Sequence, residues 1–242
     1  SHTASIKVRC TALNNEVVGE KTIAINISKR TLYITPQANP ITYGDDPPAS
    51  YNMQTDNVAP NDSVTVNVTG SCDYQKYDDV GAYDIYVKAA DQTFSHNNYT
   101  PQYQTGTLIV NKKKVTLSIA VVGDVYYGDN PPENFTFNYS GLVNGDQISD
   151  TAYTDYYYKG NAGSYNIYVT EKAHTNYYVD NIASPKGTFT VKKKPITVII
   201  YNQYIDYGDS IPTFTYSQGD LVSGDSNLTH IVETDYVLGE SD

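Results

Sequence analysis

Tryptophan is missing from this chain, methionine occurs once, and cysteine occurs twice, as Cys10 and Cys72. Two cysteines exclude a disulfide-dense scaffold. They leave open either one bridge across a domain or subunit junction or two free thiols, because sequence spacing does not give distance in space. Cations are also scarce: 16 Lys and Arg stand against 27 Asp and Glu, a formal charge of −11. A surface of that sign repels phosphate backbones and anionic lipid headgroups, so no nucleic-acid partner is expected. No apolar run approaches the ~20 residues that a helix needs to cross a bilayer, so no membrane insertion is expected either. The chain does not open on a basic segment followed by an apolar one, and the expectation is that any signal peptide has been removed.

Tyrosine is what the chain has in quantity, 25 residues against 5 phenylalanines. It sits among Thr, Asn, Asp, Gly and Pro, a mixture that opposes helices and favours short strands joined by turns. The expected class is all-β with little or no helix. A length of 242 residues implies two domains or several small ones, at about 100–150 residues each.

Self-similarity decides between these. Tyr43-Gly44-Asp45 precedes Pro47-Pro48, Tyr127-Gly128-Asp129 precedes Pro131-Pro132, and Tyr207-Gly208-Asp209 precedes Pro212, at spacings of 84 and 80 residues. Gly81-Ala82-Tyr83-Asp84-Ile85-Tyr86-Val87 matches Gly163-Ser164-Tyr165-Asn166-Ile167-Tyr168-Val169, and Lys112 to Lys114 match Lys192 to Lys194. Residues 32–114 and 115–194 are thus two complete repeats. A period near 80 is too long for a solenoid unit and fits a small independent β domain, sandwich-like or grasp-like. Ile85 and Val87 alternate with Tyr86, and Ile167 and Val169 with Tyr168, as half-buried strands require.

The Tyr-Gly-Asp element reads as a turn. Glycine takes positive φ, aspartate bonds its own backbone two residues on, and the following proline removes a donor. Calcium ligation by Asp45, Asp46, Asp129 and Asp209 is the sharper alternative, but dedicated calcium loops concentrate more oxygen ligands at alternating spacing. His2, His96, His174 and His230 have no partner at metal-ligand spacing, and no G-x-S-x-G turn supports a nucleophile. No metal, cofactor or catalytic residue is assigned, and the chain is not expected to be an enzyme. The lysine triplets are expected to keep the repeat junctions soluble and to discourage edge pairing.

The ensemble of Tyr-Gly-Asp with a following Pro, Gly-Leu-Val-Asn-Gly-Asp (141–146), Gly-Ser-Tyr-Asn-Ile (163–167), Asn176-Tyr177 and Gly-Thr-Phe-Thr-Val-Lys-Lys (187–193) resembles the MBG domain repeat of large bacterial surface and secreted proteins. The resemblance implies an extracellular, tandemly repeated stalk or adhesin module, with no catalytic residues to carry over. The first repeat departs from the pattern, with Val58-Ala59-Pro60-Asn61-Asp62 at the Leu-Val-x-Gly-Asp corner.

Residues 195–242 read as the head of a third repeat and residues 1–31 as the tail of one. Ile6 and Val8 lie in one expected strand, and Ile23, Ile25 and Ile27 in a closing strand over 20–29. An incomplete β domain exposes an edge and an apolar face, which invites a strand from another chain. Head-to-tail donation by the 1–31 hairpin would then build an open filament, with the chain as its own partner. The alternative is a window on a longer adhesin whose tyrosine-rich faces bind a glycan or a host-surface protein.

Overall fold

The computed structural model describes residues 2–88, 91–92, 94–170, 172–180, 182, 184–226, 228–231 and 233–237. These residues are all strand and connection, with no α-helix among them. The chain divides into two compact units. One holds Ser1–Val115 with Gly141–Gln147 and Ala173–Tyr178, and the other holds Thr116–Ser140, Ile148–Lys172 and Val179–Asp242. Units and repeats do not coincide, because two tips of the second repeat belong with the first.

The first unit begins with an antiparallel hairpin, β1 (His2–Thr11) and β2 (Val17–Ile27). The closing strand expected over 20–29 thus starts earlier and stops sooner. The alternation of β-branched and charged residues favours the pairing, and the ion pairs of Lys7 and Arg9 with Glu20 brace one face. Ile6, Val8, Ile23, Ile25 and Ile27 nevertheless remain 39–50% exposed. Two strands alone cannot enclose a core.

Residues 30–111 then build two small sheets from β3 (Arg30–Gln37), β4 (Ile41–Thr42), β5 (Asn52–Asp56), β6 (Gly70–Cys72), β7 (Gly81–Val87), β8 (Tyr99–Tyr103) and β9 (Gly106–Asn111). Their orders are β5-β3-β8 and β4-β9-β7-β6. Period-2 alternation buries Leu32, Ile34 and Pro36 along β3 and Leu108 and Val110 along β9. Val87 from the larger sheet packs with Leu32, Ile34 and Tyr99 from the smaller, making a thin sandwich. Each fully buried aliphatic of this kind contributes about 1.5–3 kcal/mol.

The second repeat follows the same plan with β10 (Lys113–Val121), β11 (Val125–Tyr126), β12 (Phe135–Ser140), β13 (Thr151–Thr154), β14 (Gly163–Thr170), β15 (Tyr177–Val179) and β16 (Gly187–Lys192). Its sheets run β12-β10-β15 and β11-β16-β14-β13, strand for strand the order of the first repeat. Ile167 and Val169 pack with Leu117 and Ile119. In both repeats a glycine opens the closing strand, because a Cβ on Gly106 would sit 1.8 Å from the Pro36 carbonyl oxygen and one on Gly187 would sit 1.9 Å from that of Ile119.

Beyond it, β17 (Val198–Ile200) pairs antiparallel with β18 (Tyr216–Gln218), placing Ile200 opposite Tyr216 as Ile119 lies opposite Phe137. Ile199 and Ile200 stay exposed. The hairpin register repeats that of the closing strands. Ile6 faces Ile23 as Ile85 faces Gly106 and Ile167 faces Gly187, and His2 faces Ile27 as Gly81 faces Val110 and Gly163 faces Val191.

Candidate interaction site at the repeat junctions

The three Tyr-Gly-Asp turns share one geometry. Gly44, Gly128 and Gly208 have φ of 88°, 90° and 92°, values open to glycine at little cost. Each aspartate N–H donates to the carbonyl three residues earlier: Asp45 to Thr42 at 2.9 Å, Asp129 to Tyr126 at 3.0 Å and Asp209 to Asp206 at 3.0 Å. Each carboxylate in turn accepts from the backbone N–H of that same residue, at 2.9, 2.8 and 3.2 Å. The expected bond to the backbone two residues on is therefore replaced by one reaching three residues back, because the tight turn brings that N–H to the carboxylate. A second tyrosine hydroxyl seals each turn by donating to the aspartate carbonyl, from Tyr74, Tyr156 and Tyr236.

None of this needs the leading tyrosine, whose role differs. In the first unit Tyr43 is 3% exposed, and its hydroxyl donates to Asp146 Oδ2 at 2.7 Å. Tyr177 donates to that same oxygen at 2.7 Å, while its own hydroxyl oxygen accepts the Val143 N–H at 3.1 Å. The two rings meet edge to face, centroids 5.3 Å apart. Val143 covers Gly44 so closely that a Cβ there would lie 2.9 Å from its Cγ2. Asn176 closes the rim, accepting from the Val80 N–H and donating to Asp79. Burial first, and the Asp146 carboxylate second, push the Tyr43 phenol well above its usual value.

The second unit repeats the arrangement. Tyr127 donates to Asp225 Oδ1 at 3.1 Å, and Val222 closes over Gly128, leaving 2.3 Å to an added Cβ. Lys159 stands where the first repeat has Tyr77, both at positive φ. Its ammonium pairs with Asp225 at 3.1 Å, and this carboxylate holds the Lys159 pKa above its usual value. In both cases a Tyr-Gly knob from one repeat seats on the Leu-Val-x-Gly-Asp corner of the next.

The first repeat carries the same corner in altered form. Asn61 takes φ of 60° after Pro60, whereas Asn144 and Gly145 are both positive, so the corner is shaped differently, as the substitution of Pro for the second-repeat pattern requires. Its chemistry is kept: Tyr99 donates to Asp62 Oδ2 at 2.7 Å and accepts the Ala59 N–H at 2.9 Å. That hydroxyl, and then the Ser63 N–H, hold the Asp62 carboxyl below the usual carboxylate range. Asp62 is exposed, unlike Asp146 and Asp225. Tyr207, heading the third turn, is 73% exposed, and nothing lies within 4 Å of a Cβ placed on Gly208.

Lys112, from the first triplet, has a more specific place than the expected solubilising one, and Lys29, outside the triplets, shares it. Lys112 Nζ donates to the His174 carbonyl at 2.7 Å and Lys29 Nζ to that of His96 at 2.8 Å, so each pins its linker to the following repeat. Cys10 is exposed near the end of β1 and Cys72 is half-buried in β6, both as free thiols. Among the described residues no cluster of three or more His, Cys, Asp or Glu side chains has the geometry to hold a metal.

Residues 32–109 match the family model of the MBG domain (YGX type). The match covers the first complete repeat, the one whose corner at 58–62 departs from the pattern, whereas the resemblance in sequence was carried mainly by residues 141–193. No curated protein matches the chain.

Proposed function

We propose, from the MBG-type domain at residues 32–109 and its structural duplicate at 115–194, that the chain is a structural segment of an extracellular surface protein. MBG domains are a repeat type of surface proteins, and the role assigned here is to space and align, not to catalyse. The observation that carries this reading is the pair of sandwiches with one strand order, each docked to its successor by the same tyrosine-to-aspartate contact. The finer proposal is that the 1–31 hairpin completes a head of the 195–242 kind on another copy, giving a head-to-tail filament. Its support is the hairpin register, which reproduces the closing pair of both repeats, and the exposed isoleucines on both partners. One residue runs against the pattern: Ile23 occupies the position of Gly106 and Gly187. Full-length chain is expected to form filaments with rising concentration, by electron microscopy and sedimentation, and Ile25→Asp to abolish them. Ile23→Gly is expected to tighten assembly. Unchanged assembly in Ile25→Asp overturns donation.

A second reading has its own observation. Tyr153 and Tyr168 stack on the β13–β14 face with centroids 5.4 Å apart, and Tyr153 is half exposed. Such a platform suits a sugar ring, and saturable glycan binding at high salt that Tyr153→Ala removes is its test.

A further inference from the structure

We propose that the second repeat holds a binding cleft for a neutral oligosaccharide along strand β13, with Asp150 at its floor and Glu133 at its lip. This deepens the glycan reading above, on which it rests, by giving the ligand a class and a seat.

The cleft follows from one methyl group. β12 and β13 are edge strands of the two sheets, so the seam between them is an open side of the sandwich. Ile119 pairs with Phe137 as Pro36 pairs with Met53, which sets Phe135 where the first repeat has Tyr51. Ala152 pairs with Val169 as Gly70 pairs with Val87. In the first repeat the Tyr51 ring lies on Gly70, so close that an added Cβ would be 2.6 Å from its Cδ2. Ala152 carries that Cβ, and a ring cannot lie there. The seam stays open instead, as a cleft of about 530 Å³ reaching Val122, Phe135 and Phe137. It adjoins a second of about 500 Å³ that reaches Pro132 and Tyr153, and Glu133 and Ala152 line both. Such volumes suit a small ligand, for which sites run to about 300–1,000 Å³.

The fold itself does not call for an acid at position 150. Asp150 lies two residues before Ala152 as Val68 lies two before Gly70, and the two are similarly enclosed, 7% and 9% exposed. The first repeat closes its core with the valine. The second withdraws a carboxylate from water, a costly change that the Tyr139 hydroxyl, donating at 2.8 Å, makes tolerable. An acid standing where valine suffices for the same architecture points to a binding role.

The lining sets the class of ligand. Apolar side chains offer a face to the C–H groups of a sugar ring, and the two carboxylates are acceptors for its hydroxyl protons. Among the described lining residues there is no Lys, Arg or His, so nothing there offsets the charge of a uronic or sialic acid, which both carboxylates repel. A strand rises ~3.3 Å per residue, and the 4 residues of β13 give the cleft the length of a short oligosaccharide.

The experiment applies the full chain to an array of neutral malto-, cello-, galacto- and manno-oligosaccharides, with oligogalacturonate as the anionic counterpart, and titrates the best neutral ligand by NMR with the Ala152 methyl as reporter. Saturable neutral binding that shifts this methyl, and none of oligogalacturonate, is expected. Asp150→Asn keeps an acceptor for Tyr139, and Glu133→Gln alters only an exposed side chain, so a folding defect in the first does not spoil the test. Each is expected to weaken binding roughly tenfold. No saturable neutral ligand, equal or tighter binding of oligogalacturonate, or unchanged affinity in both variants overturns the cleft. Tyr168→Ala separates it from the stacked platform. Binding lost there but intact in Asp150→Asn and Glu133→Gln overturns the cleft and keeps the platform, whereas the reverse keeps the cleft and removes the platform.

Discussion

Tyr43 and Tyr207 head the same motif and enter the same turn, yet the first is 3% exposed and the second 73%. The turn forms in either case because glycine conformation and two local hydrogen bonds decide it. Burial of the tyrosine is decided elsewhere, by whether a Leu-Val-x-Gly-Asp corner covers it. Local chemistry and inter-repeat chemistry are thus separable in this molecule: the turn is common to the complete repeats and the 195–242 flank, and the covering corner is not.

Substitutions at matched positions should break or sharpen that contrast. The largest effect is expected in the sandwich cores. Ile85→Ala, at a position with no exposure, should cost about 2–5 kcal/mol in urea unfolding, whereas Ile6→Ala in the hairpin should stay within about 0.5 kcal/mol. Next, Gly106→Ala drives a methyl into the Pro36 carbonyl and should cost about 3 kcal/mol. Gly81→Ala, with nothing within 4 Å, should leave the midpoint where it is. A smaller loss, about 1 kcal/mol, is expected for Tyr43→Phe, which takes one hydroxyl from Asp146.

The smallest contrast is in pH. Tyrosine ordinarily titrates near about 10, and burial and then Asp146 raise Tyr43 above that. Below pH ~10 both folded and unfolded chains keep the proton and the contribution is whole. Above it the unfolded chain ionises first, so this part of the stability is lost as pH rises through 10 towards the folded value. Urea unfolding between about pH 9 and 11 should therefore fall less steeply in Tyr43→Phe than in the unmodified chain.

The all-β class, the period and the alternation along β7 and β14 were legible because turns and half-buried strands write themselves into local sequence, and the register of Ile85 and Ile167 follows from that alternation. The pairing of Tyr43 with Asp146 was not legible, since the two residues are 103 positions apart and each reads locally as part of a turn. One signal was available. A turn of this kind needs the glycine and the aspartate but not a tyrosine, so three tyrosines in that place ask for a contact outside the turn. The roles of Lys29 and Lys112 were hidden for a related reason: their acceptors are backbone carbonyls, which every sequence contains.

The second repeat bears both a Tyr-Gly knob, at Tyr127, and a Leu-Val-x-Gly-Asp corner that receives one, at Asp146, and this has a consequence for how such chains change length. A segment of about 80 residues copied in tandem arrives with both of its couplings already matched to its neighbours, so no new surface has to be invented when one is gained and none is orphaned when one is lost. Length can then be tuned by counting units.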